Sequence, residues 1–143
     1  MRFIKKEEVR FRHVDFAGIV FYPRFLEMLN DLVEDWFSES LLNPFGKMHK
    51  DSGIPTVNLQ IDFKQPARIG EVLYKQLWVV SLGESSVRCG FEFKNAEGGL
   101  VLCGQLTLVN VGLDKAQNRI KAVPFSDEIK RRINPYMIKP DGV

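Results

Sequence analysis

The chain has 143 residues, 45% of them hydrophobic and 27% charged, values that suit one globular domain over 1–143. Lysine and arginine number 20 against 18 acidic residues, a balance that does not argue for a nucleic-acid binder but leaves room for a local basic patch that holds a phosphorylated small molecule. The opening Met1 to Glu8 stretch has no apolar signal core and no run reaches transmembrane length, so a cytoplasmic protein without a membrane partner is expected.

Residues 2–12 predict a first strand, with Phe3, Ile4, Val9 and Phe11 among charges, at a solvated edge. His13 extends it as a partly exposed strand residue. Pro23 fits the first position of a helix that runs to about Ser38–Leu42. Phe25, Met28, Leu29, Leu32, Val33, Trp36 and Phe37 recur there at helical spacing, so one side should be buried. Glu27 and Asp31 fall on its polar side. Asn43 to Gly46 breaks the helix, and a polar loop over 47–53 carries His49.

The remainder reads as sheet. Thr56 to Phe63 alternates, with Val57, Leu59, Ile61 and Phe63 on one face. Pro66 to Gly70 is a turn, and Val72 to Leu82 and Ser85 to Lys94 are long strands. Asn95 to Gly99 is a hairpin loop, and Leu100 to Val111 returns as one strand. Arg119 to Val123 is a short strand, and Ser126 caps a final helix over Asp127 to Ile133. One apolar helix followed by hairpin-linked strands predicts an α+β fold, with a meander of about five strands curled round the helix. Cys89 and Cys103 lie in strands, without metal-ligand or disulfide spacing, so reduced thiols and no metal or cofactor are expected.

The chemistry concentrates between Asp15 and Phe37. A carboxylate precedes a buried helix start, whose free N–H groups and partial positive charge suit a polarised carbonyl. Acyl transfer needs a nucleophile or base and preorganised donors for the oxyanion. Gly18 lets the turn pass close to a substrate. Because Pro23 lacks an N–H, the backbone N–H of Tyr22 is the nearest donor before Arg24.

The stretch Val9-Arg-Phe-Arg-His-Val-Asp-Phe-Ala-Gly-Ile-Val-Phe-Tyr-Pro23, followed by an aromatic-rich helix, resembles the hotdog-fold thioesterases. The 4-hydroxybenzoyl-CoA thioesterase group is the nearest in pattern. Gly53 to Val57 and the Pro66 to Gly70 turn also fit. The resemblance implies hydrolysis of a short-chain or aromatic acyl-CoA. Asp15 would act as nucleophile or general base, and the Tyr22 N–H would polarise the carbonyl. It also implies a homodimer or homotetramer with the site between subunits, and an acyl pocket shaped by Phe16, Phe21 and the His49 loop. Arg88 is a candidate for the CoA phosphates, as are Lys94, Lys121, Lys130, Arg131 and Arg132. The sequence departs from the family at three places. His13 stands where an acidic residue is common, and Phe16 where Pro is common. Gly83-Glu84-Ser85 replaces a basic cluster, which leaves an acyl carrier protein open as the thioester's carrier. A hotdog dehydratase would need Asp-x4-His, and residue 20 is Val. A non-catalytic acyl-binding protein of the same fold is the remaining alternative.

Overall fold

The computed structural model describes residues 1–48 and 51–138. Helix α1 spans Tyr22–Glu39, and all seven residues of the stripe read above are buried along it. It starts one residue earlier than the sequence suggests. Phe21 stays extended as the cap, and the Arg24 N–H closes on its carbonyl, so Tyr22 is first and Pro23 second.

The stripe packs on an antiparallel sheet of five strands: β1 (Phe3–Glu8), β3 (Thr56–Phe63), β4 (Val72–Leu82), β5 (Ser86–Lys94) and β6 (Leu100–Val109). Their order is β1-β4-β5-β6-β3. Alternate residues of the central strands, among them Leu77, Cys89, Phe91, Phe93 and Leu106, are buried. A long helix held by a curled antiparallel sheet, with a short terminal helix, is the hotdog architecture. That helix, α2 (Asp127–Ile133), begins as expected, with Ser126 Oγ accepting the Ile129 N–H at 3.2 Å.

Three expectations about the sheet need correction. The meander holds only for β4-β5-β6, because β3 crosses to the far edge and pairs with β6. Alternation reports which face a residue takes, not which strand lies beside it. The first strand stops at Glu8, because Val9 leaves β1 to exchange backbone bonds with Gly70 and Glu71. The long strand expected over 100–111 breaks at Asn110, whose side chain donates to the Val123 carbonyl at 3.0 Å. Beyond that break, β7 (Val111–Asp114) joins a small second sheet with β2 (Ser52–Gly53) and β8 (Arg119–Ala122).

Cys89 is fully buried, which pushes its thiol up to about 12, so it is an inert core filler. Among the described residues no helix is long and apolar enough to cross a membrane.

Candidate active site

The segment from Val9 to Phe21 is a loop stitched to itself. The Arg10 N–H donates to His13 Nδ1 at 2.8 Å and so caps a 3₁₀ turn over Phe11–His13, which the His13 N–H closes on the Arg10 carbonyl at 2.9 Å. Val14 bridges Val20, the Asp15 N–H reaches the Ile19 carbonyl at 3.0 Å, and the Phe21 N–H reaches the His13 carbonyl at 3.0 Å. Gly18 sits at the tip with φ +76°, a conformation that a side chain would strain. A second turn braces the loop from outside: Val20 N–H bonds the Ala67 carbonyl, and Ile69 N–H bonds that of Gly18.

Asp15 is exposed on this loop. Its Oδ1 accepts the Ala17 N–H at 2.8 Å, which orients the carboxylate and leaves Oδ2 for a substrate or a water molecule. A helix start presents four orphan N–H groups. Here Phe21 spends its own on His13, Pro23 has none, and Arg24 spends its own on Phe21. Among the described residues Tyr22 therefore keeps the one uncommitted N–H of the first turn, at the positive end of an 18-residue helix. A carboxylate and a free amide thus stand on opposite limbs of one tight loop.

The other residues singled out from the sequence divide. Phe21 and Phe16 flank the loop but are exposed, Phe16 completely, so Phe16 walls no cavity within one chain. Phe21 stacks edge-on against Tyr22, with ring centres 5.6 Å apart. His49 lies outside the described residues. Arg88 is not brought to the loop. Its neighbours Val87 and Cys89 are buried toward the helix, so alternation puts Arg88 on the opposite face of β5. Glu27 and Asp31 are exposed on α1 as expected.

His13 is the clearest correction. It is 4% exposed and belongs to a turn, not a strand. Its Nε2 faces Glu7 Oε2 at 3.7 Å, and the other oxygen of Glu7 is 2.8 Å from Lys75 Nζ. Lys75 is itself 2% exposed and also donates to the Met28 carbonyl of α1 at 3.0 Å. The sequence carried a sign of this buried pair: Lys75 occupies the apolar phase of β4, between Leu73 and Leu77.

Two hollows adjoin the loop. One, of about 190 Å³, lies between α1 and strands β3 and β6, and includes Leu26, Leu29, Val33, Phe45 and Leu106 in its lining. Among the described residues that line it, Asn30 and Thr56 are the only polar ones. At 1.5 Å per residue, Leu26 lies about 6 Å along the helix from Tyr22, so the hollow begins one turn from the free amide. It has room for one acyl group, not a whole acyl-CoA. The other, of about 540 Å³, lies by the Pro66 to Gly70 turn. Glu71 and Glu97 there outweigh the charge of Arg68, so it is a poor phosphate site.

A long helix wrapped by a curled antiparallel sheet makes this a hotdog fold, with the Asp15 loop at the start of the helix, and the comparisons with known proteins give its class, a thioester hydrolase. The chain belongs to the thioesterase-like superfamily, whose family model matches residues 9–133. A 1,4-dihydroxy-2-naphthoyl-CoA hydrolase from Synechocystis sp. is 29% identical to it over 101 residues, 70% of this chain and 73% of that one. The crystal structure of a 1,4-dihydroxy-2-naphthoyl-CoA thioesterase from Synechocystis superposes with a TM-score of 0.82 at 26% identity, covering 94% of this chain and 96% of that one. A 4-hydroxybenzoyl-CoA thioesterase, crystallised as an Asp-to-Asn variant with 4-hydroxybenzoyl-CoA, gives 0.82 at 19% identity, over 92% and 98% of the two chains. At that identity the likeness is one of fold.

Proposed function

We propose that the chain hydrolyses an aromatic acyl-CoA, of the hydroxybenzoyl or hydroxynaphthoyl kind, to the free acid and CoA. The observation that carries this reading is the pairing of Asp15 with the single uncommitted amide of Tyr22 on one braced loop. The Tyr22 N–H would hold the thioester oxygen as it gains charge, a contribution typically worth about 10²–10³ in rate. Asp15 would attack the carbonyl carbon or activate water. Gly18 keeps the loop tip free of a side chain. The acyl group would run along α1 into the apolar hollow, with Asn30 and Thr56 placed to bond ring hydroxyls. Metal and cofactor have no part in this scheme.

A second copy of the chain is the proposed partner, as a dimer or tetramer. Strand β3 is an edge strand, exposed at seven of its eight residues. Its terminal Phe63 touches the Tyr22 ring edge-on, with centres 6.3 Å apart. A copy paired on β3 would therefore lie beside the helix start and cover the aromatic rings left exposed there. Phe16, exposed within one chain, would belong to the pocket in that assembly. The free thiols of Cys89 and Cys103 suit the reducing cytoplasm.

Purified protein, a panel of acyl-CoA thioesters and a thiol-release assay test the reading. Asp15→Ala should lower kcat by at least about 100-fold, within the range for a lost base. Near-normal turnover would refute the role of Asp15. Turnover of acyl carrier protein thioesters but not CoA thioesters would reassign the carrier, and no turnover of either would leave an acyl-binding protein.

A further inference from the structure

The polar cluster behind the active-site loop has no place in the chemistry above, yet it is built at a cost. Lys75 and His13 are almost wholly buried, and a charge held in a core is more often a liability than a stabiliser. The cluster joins four elements. Glu7 comes from β1 and Lys75 from β4, the Met28 carbonyl comes from α1, and His13 comes from the loop. Its loop end is also the hinge of the site. The His13 ring accepts the Arg10 N–H, and the His13 carbonyl accepts the Phe21 N–H, one residue before the Tyr22 amide. Asp15 is two residues past His13 in the other direction.

We propose that His13 is a positioning residue: its neutral ring latches the loop that carries Asp15 and the Tyr22 amide, and a second proton on the ring opens that latch. This rests on the thioesterase reading of the same site. The latch needs one tautomer. Because Nδ1 accepts the Arg10 N–H, the ring proton sits on Nε2, toward Glu7. A second proton would go to Nδ1, where it meets the Arg10 N–H head-on and the hydrogen bond is lost. The 3₁₀ turn then loses its side-chain cap and is held by its backbone bonds alone, the His13 N–H to the Arg10 carbonyl and the Val14 N–H to that of Phe11, so the His13 carbonyl that fixes Phe21 is held less firmly.

The surroundings hold the ring neutral. Burial lowers the His13 pKa from the ordinary 6.5, and the Arg12 and Arg10 charges add to this. Glu7 from β1 and Glu27 from α1 pull the other way. Glu7, however, already shares its charge with Lys75 at 2.8 Å. The sign for stability follows. The unfolded chain takes up a proton on this histidine before the folded chain does, so stability falls as pH drops below about 6.5 and stops falling once the folded ring is charged. Activity should fall later, as the folded ring itself takes the proton.

The test combines two variants with a readout that does not need turnover. Asn in place of His13 keeps an acceptor near the Nδ1 position but cannot titrate. His13→Asn should keep kcat within about threefold at neutral pH and lose that part of the acid fall in kcat which coincides with the His13 ring titration. His13→Ala should lower kcat at least tenfold with little change in KM. In the unmodified chain, amide exchange read by NMR should quicken at Arg10 and Phe21 as the His13 ring titrates, while α1 core amides stay protected. An acid fall in kcat at the pH of the His13 titration that survives unchanged in His13→Asn, or exchange at Arg10 and Phe21 indifferent to that titration, would overturn the latch. A chain inert toward every thioester would sink the thioesterase reading alone, because the exchange measurement still decides for or against the latch.

Discussion

The two edges of the five-stranded sheet are finished differently. At one edge, β1 reads Phe3-Ile-Lys-Lys-Glu-Glu8, four charges in six residues. Lys5 reaches Glu39 of α1 at 2.9 Å, and Glu7 turns inward to Lys75. At the other edge, β3 carries one charge, Asp62, in eight residues, and leaves Val57, Leu59 and Phe63 exposed. Charged edges discourage strand addition, and bare apolar ones invite it. The loop with Asp15 opens toward the bare edge through the Tyr22–Phe63 contact. The difference supports the proposed assembly: one edge is finished within the chain, and the Asp15 loop lies beside the edge that a second copy would cover.

The largest effect should come from making the open edge resemble the closed one. Val57→Lys combined with Gln60→Lys adds two charges to β3 without touching Asp15, Tyr22 or the lining of the acyl hollow. Sedimentation should then show monomers at micromolar concentration, and kcat/KM should fall at least 100-fold. Ile4→Lys, a matching charge on the exposed face of β1, should change neither. Equal effects at both edges would erase the distinction drawn between them.

Next in size is the inner side of the closed edge. Lys75→Met leaves Glu7 partly buried without its partner, and breaking such a pair typically costs about 3–5 kcal/mol. Chemical denaturation should show a loss of that order. Adding Glu7→Leu should recover much of it, because it is the unpaired charge that destabilises. The double variant should keep the assembly state, since β3 is untouched.

How much of this was legible in the sequence depends on the range of the interaction. Local signals read true: the stripe from Phe25 to Phe37, the Ser126 cap, and the glycine turns at Gly18 and Gly98, both with positive φ. The Asp15 to Pro23 stretch pointed to the site because turn, carboxylate and helix start are close in the chain. Pairings between distant segments were not legible. The exposed apolar row of β3 has the same alternation as a covered one, so nothing local sends it to β6. His13 reads as a strand residue until Val9 is seen to leave the sheet for Gly70 and Glu71. Arg88 looked available for phosphates because its charge is visible in sequence, whereas its face depends on which side of β5 meets α1.

The smallest effect concerns what keeps the β1 edge closed. The Lys5–Glu39 pair is exposed on both sides, and such pairs are worth about 0.2–1 kcal/mol. Lys5→Ala should therefore lower stability by no more than that, and less still in 1 M salt, where surface charges are screened within about 3 Å. It should not open the edge, because Lys6 and Glu8 still place exposed charges along β1 and each would be desolvated by an incoming strand. If Lys5→Ala alone produced concentration-dependent association in sedimentation, a single ion pair would be guarding that edge. If association appears only after Lys6 and Glu8 are also neutralised, closure belongs to the row of charges, and β3 differs from β1 by lacking such a row.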